Sequence, residues 1–139
     1  MTTTASEFTV SLPIADRQRA ADFYREAFGF EPVGTPTEDG LPEPLQYRLA
    51  GRTLLALIPS DGLDWVLGSR QLAPVAVSEC LLGLTLDTAH NVDALVDRVR
   101  HAGGEVITAP EQQEWGYTAI CADPDGHAWQ VTAEREGPL

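Results

Sequence analysis

One order of elements, strand, helix, strand, strand, strand, is written twice along this chain of 139 residues. Phe8 to Ile14 alternates, with Val10, Leu12 and Ile14 apolar and Thr9, Ser11 and Pro13 between them, the period of a half-buried strand. Asp16 follows as a helix cap. Ala20, Phe23, Tyr24, Ala27 and Phe28 then form one apolar stripe at helical spacing, and Gly29 supplies the stop. The second copy runs the same way. Leu82, Leu84 and Leu86 alternate with Gly83 and Thr85, Asn91 is the expected cap, Val92, Leu95, Val96 and Val99 make the stripe, and Gly103-Gly104 ends it. Strand-like runs complete each copy: 31–34, 46–50 and 53–58 in the first, 105–108, 117–122 and 127–133 in the second.

A unit of four strands and one helix covers one face of its sheet and leaves the other bare. Two such units side by side would turn the bare faces into one concave surface, a natural seat for a ligand. The expected fold is therefore α+β: two βαβββ modules, 7–59 and 80–134, in a single domain over 1–139, pairing into a curved mixed sheet around a cavity. Residues 60–79 are the connector and carry Trp65 in an irregular stretch. Residues 34–45, rich in Pro, Glu and Asp, form a second long loop of the functional or mobile kind.

The charge narrows the partners. Asp and Glu number 21 against 9 basic residues, giving net −12, so nucleic acid and anionic membrane surfaces are repelled. All nine basic residues are Arg, which excludes Schiff-base and phosphate-loop lysines. A neutral or cationic small organic molecule suits this field. Cys80 and Cys121 have no disulfide or zinc spacing and read as buried apolar residues. Met1 to Glu7 lacks the pattern of a leader and no run is long enough to span a bilayer, so the expected location is cytoplasmic.

Two stretches resemble the vicinal oxygen chelate superfamily, which includes glyoxalase I, extradiol dioxygenases and bleomycin-resistance proteins. One is Ala20 to Glu31, AADFYREAFGFE; the other is Trp115 to Val131, WGYTAICADPDGHAWQV, with its Asp123-Pro124-Asp125-Gly126 turn. With the repeat, the resemblance covers about residues 7 to 134. It implies a divalent metal held by His, Gln or Glu near the first strand of each module and by a carboxylate in the last. Matched residue by residue, those positions fall on Thr9, Ala56, Leu81 and Gln130. Thr, Ala, Leu and Gln do not make a divalent-cation site. No metal or other cofactor is expected, and an enzymatic role is less expected than binding. The resemblance also implies a homodimer.

Parity then predicts the ligand face. Thr9 and Ser11 oppose the Val10 stripe; Gly83 and Thr85 oppose the leucines; Ala128, Gln130 and Thr132 oppose Trp129 and Val131. Trp65, Trp115, Tyr47 and Tyr117 are the aromatic rim candidates, able to stack on a planar molecule or attract a cation. Glu111 and Glu114, read as loop residues, would suit a cationic group, and His90 and His101 read as surface residues. The leading expectation is a metal-free binder that sequesters an aromatic or cationic ligand, an antibiotic among the candidates. The alternatives are a metal-dependent lyase, isomerase or dioxygenase of the same superfamily, and a regulatory binding module.

Overall fold

The computed structural model describes residues 3–134. The sequence readings that touch Met1, Thr2 and 135–139 lie outside the described residues. Among the described residues, seven strands and three α-helices follow in the order β1 (Phe8–Ile14), α1 (Arg17–Phe23), β2 (Leu45–Arg48), β3 (Thr53–Pro59), α2 (Ser60–Leu67), β4 (Leu82–Leu86), α3 (Ala89–His101), β5 (Glu105–Gln113), β6 (Gly116–Ala122) and β7 (Ala128–Ala133). Helix α1 is followed directly by a π-helical turn over Tyr24–Phe28, and Gly29 closes it in the left-handed conformation with φ 73°. Among the described residues, no helix is long and apolar enough to cross a membrane.

The chain divides into two compact units. The first runs through Ala21 and resumes from Phe30 to Leu72; the second consists of Asp22–Gly29 and the chain from Ala73 onward. In the first unit the sheet order is β1-β3-β2, with β1 parallel and β2 antiparallel to β3. The predicted strand at 31–34 is reduced to one bridge between Pro32 and Tyr47. Pro32 has no N–H to donate, so the run cannot extend as a ladder. Asp16 caps α1 as expected, its Oδ1 accepting from the amides of Gln18 and Arg19. The connector is not wholly irregular: α2 occupies its first eight residues, anchored by buried Leu63.

In the second unit the order is β4-β7-β6-β5, with β4 parallel to β7 and the rest antiparallel. Helix α3 packs Val92, Leu95, Val96 and Val99 inward. Its cap is Thr88 rather than Asn91: the Thr88 hydroxyl accepts from the Asn91 amide, which lies inside the first turn. At the other end Gly104 has no room for a side chain. A Cβ there would stand 2.6 Å from both the Ala122 carbonyl oxygen and a Val99 methyl. Strand β5 reaches Gln113, five residues past its predicted end, and so takes Glu111 out of the loop assigned to it.

The two sheets repeat each other in register. Ser11 on β1 pairs with Ala56 on β3, and Gly83 on β4 pairs with Gln130 on β7. If Ala56 and Gln130 correspond, so do Ser11 and Gly83, and two residues earlier Thr9 and Leu81.

Candidate functional site

Strand alternation sorts the candidates into faces, one unit at a time. In the first unit Tyr47, Leu55 and Val10 fall on one face through their pairing, and Tyr47 is only 1 % exposed with its ring 6.0 Å from that of Phe30. Thr9, Ser11 and Ala56 fall on the opposite face. Tyr47 is therefore a core residue and does not share a face with Thr9 and Ser11. Gln46 does, lying directly across from Ala56. The alternation Leu45, Gln46, Tyr47, Arg48 carried that signal in the sequence.

In the second unit Tyr117, Ala119, Cys121, Trp129 and Val131 share the face under α3, where the Tyr117 hydroxyl donates to Asp93 at 2.6 Å. That bond raises the Tyr117 pKa. The other face carries Gly83 and Thr85 of β4, Ala128, Gln130 and Thr132 of β7, and Thr118 and Ile120 of β6. Gln130 is half-buried and sits between Gly83 and Ile120. Thr118 and Thr132 lie side by side with hydroxyl oxygens 2.9 Å apart. Parity predicted Thr85, Gln130 and Thr132 here; Thr118 was missed.

The remaining candidates lie elsewhere. Trp65 stands on α2 and is 83 % exposed, while Trp115 sits in the β5–β6 turn and is 59 % exposed. Glu114, beside Trp115, lines an open cleft of about 400 Å³ with Tyr117, Gln112, Thr88, Ala89 and Glu134. Cys80 is exposed, correcting its reading as a buried residue; Cys121 is buried, and burial pushes its thiol up to about 11.

A buried polar centre supports this unit. The Tyr24 hydroxyl donates to Asp123 Oδ2 at 2.5 Å and accepts from the Trp129 indole N–H at 3.1 Å. Asp123 Oδ1 accepts from the amides of Asp125 and His127, closing the Asp-Pro-Asp-Gly turn. Burial raises the pKa of Asp123, and burial with the charge of Asp123 raises that of Tyr24 well above the ordinary phenol value. The two stretches most telling in the sequence thus meet at one hydrogen bond.

The positions Thr9, Ala56, Leu81 and Gln130 offer one hydroxyl, one amide and two hydrocarbon side chains. Among the described residues, no group of three or more His, Cys, Asp or Glu is placed to hold a metal ion. The residues present do not fit the divalent metal that the superfamily's enzymes carry.

The sequence matches the family description Glyoxalase/Bleomycin resistance protein/Dioxygenase superfamily over residues 8–131. The chain belongs to that superfamily. It is 32 % identical over 122 residues to the uncharacterized protein Mb0911c of Mycobacterium bovis, covering 86 % of this chain and 78 % of that one. Among solved structures it is similar to a glyoxalase-related enzyme from Fulvimarina pelagi, with TM-score 0.80 and 25 % identity over 98 % of this chain and 93 % of that one. It is also similar to TnmS3, an antibiotic binding protein from Streptomyces sp. CB03234, with TM-score 0.60 and 27 % identity over 97 % and 100 % of the two chains.

Proposed function

We propose that this chain, organised as two βαβββ modules in one domain, is a metal-free binding protein that sequesters an aromatic or cationic organic molecule, as an antibiotic-binding relative would. The observation that carries the reading is the chemistry at Thr9, Ala56, Leu81 and Gln130, where no imidazole or carboxylate stands. A Lewis acid needs imidazole or carboxylate ligands, which these side chains do not supply. The likeness to TnmS3 supports capture, and the exposed indoles of Trp65 and Trp115 supply stacking surface. Net charge −12 favours a cation over an anion and argues against nucleic acid as partner. The working form in this reading is a cytoplasmic homodimer.

A metal-dependent lyase, isomerase or dioxygenase is the second reading, favoured by the likeness to the Fulvimarina pelagi enzyme. Native mass spectrometry of protein purified from its own host, with metal analysis of the same sample, separates the two. Capture is expected to give a bound organic mass, no stoichiometric metal, and tryptophan quenching on rebinding with the ligand mass unchanged. Stoichiometric zinc, nickel, manganese or iron, or conversion of the bound molecule, would overturn it.

A further inference from the structure

We propose that the sheet face turned away from α3 in the second unit carries an acceptor strip for a protonated amine or guanidinium, with Glu111 taking the charge and Thr132 and Thr85 taking N–H groups. This rests on the reading of the chain as a small-molecule binder and names the class of molecule.

The strip is a straight row across all four strands. Thr85 pairs with Thr132, Thr132 with Thr118, and Thr118 with Glu111. At about 4.8 Å per strand the row is about 14 Å long, the reach of a small extended molecule. Glu111 belongs to it because of a bulge. Thr108 pairs with Ile120 and Glu111 with Thr118, so three steps on β5 match two on β6. In a regular strand Thr108 and Glu111, three apart, would point to opposite faces. The extra residue brings them onto the same one.

The hydrogen bonds fix the polarity of the row. Thr118 spends its hydroxyl hydrogen on the Val131 carbonyl at 3.2 Å. The 2.9 Å contact between Thr118 and Thr132 then has Thr132 donating. With its hydrogen so used, the Thr132 oxygen meets a ligand as an acceptor. Glu111 accepts at Oε1 from the Gln113 side-chain amide and has a second carboxylate oxygen to offer. Thr118 is only 5 % exposed and Thr132 is half-buried, while Glu111 and Thr85 at the two ends of the row are open to an incoming ligand. A strip of acceptors ending in one carboxylate, with no basic residue in the row, is matched by a donor-rich cation. A single carboxylate is too few ligands for a divalent metal.

The test uses the isotope-labelled full chain titrated with agmatine, 1,5-diaminopentane and 1,5-pentanediol, reading backbone amide shifts. The two cations are expected to shift the amides of Glu111, Thr118 and Thr132, and the diol to leave them still. Glu111→Gln is expected to weaken agmatine binding roughly tenfold or more, and Thr132→Val a few-fold. Glu26→Gln removes the same charge from an exposed position in the π-helical turn after α1 and is expected to change binding less than about twofold. Equal losses in the Glu111 and Glu26 variants would mean a diffuse field, and shifts confined to other residues, or none, would mean no strip; each overturns the proposal. Should Glu111→Gln fail to fold, the Thr132→Val titration decides. A host-derived organic mass retained equally by Glu111→Gln sinks the strip and leaves capture standing. Stoichiometric metal in host-purified protein sinks capture, whatever the agmatine titration gives.

Discussion

Tyr24 illustrates how a single atom can hold a motif together. Its oxygen donates to Asp123 and accepts from Trp129, and its ring lies 5.2 Å from that of Phe28, which in turn lies 4.9 Å from that of Trp129. Tyr24→Phe keeps the ring and removes one hydrogen bond from each of two buried partners. The expected loss is about 1–3 kcal/mol of unfolding free energy, read by urea denaturation; an unchanged midpoint would show that the bonds carry nothing. Asp123 adds a pH signature. Its pKa is raised in the folded state, so folding favours the neutral acid. The cost of its buried charge is present above the folded pKa and is relieved as pH falls through it.

At the scale of elements, the loop at 34–45 reads from its sequence as long and of the functional or mobile kind, yet one side chain ties it down. Arg17, in the first turn of α1, places Nε 3.0 Å from Asp39, Nη1 3.1 Å from Glu43 and Nη2 2.9 Å from the Pro42 carbonyl. The Arg17 guanidinium, the Leu41 amide and the Thr37 hydroxyl, all donating to it, hold Asp39 down to about 2. A carboxylate with a depressed folded pKa contributes stability above its ordinary value near 3.8, and that contribution is lost as pH falls through about 2. Amide exchange at Thr37, Gly40 and Leu41 is therefore expected to quicken across that window in the parent and to be fast throughout in Arg17→Met; equal protection in both chains would show that the loop holds itself. What was legible at this scale followed alternation. Val10, Leu12 and Ile14, the leucines of β4, and the residues around Gln130 fell on the faces their parity gave them. Helix α2 was missed because Pro59, Asp61 and Gly62 look like a turn, although Leu63, Val66 and Leu67 already stood at helical spacing. The bulges of β5 leave no mark on residue type. Pro110 masked the strand, and Glu111 could be aimed only once its cross-strand partner was known.

The whole molecule brings its charge and its connectivity to bear. With net −12 and no lysine, the field around the chain attracts a cation before contact. The association rate of a cationic dye is expected to fall as salt rises and the Debye length shrinks from about 10 Å at 0.1 M toward about 3 Å at 1 M. A neutral dye of the same shape is expected to show no such slope in stopped flow; matching slopes would dismiss steering. Ligand identity stayed beyond the sequence, since composition sets the sign of a field and only pairing sets which oxygens stand in a row.

Helix α1 starts in one unit and ends in the other, and this bears on how the protein could be taken apart. A cut in the connector leaves the downstream fragment with Asp123 and Trp129 but without the phenol that joins them. The repeated halves are thus not interchangeable cassettes. A severed second half would need a peptide spanning Asp22–Gly29 added back before its interior is whole, so the second half is inherited together with part of the first.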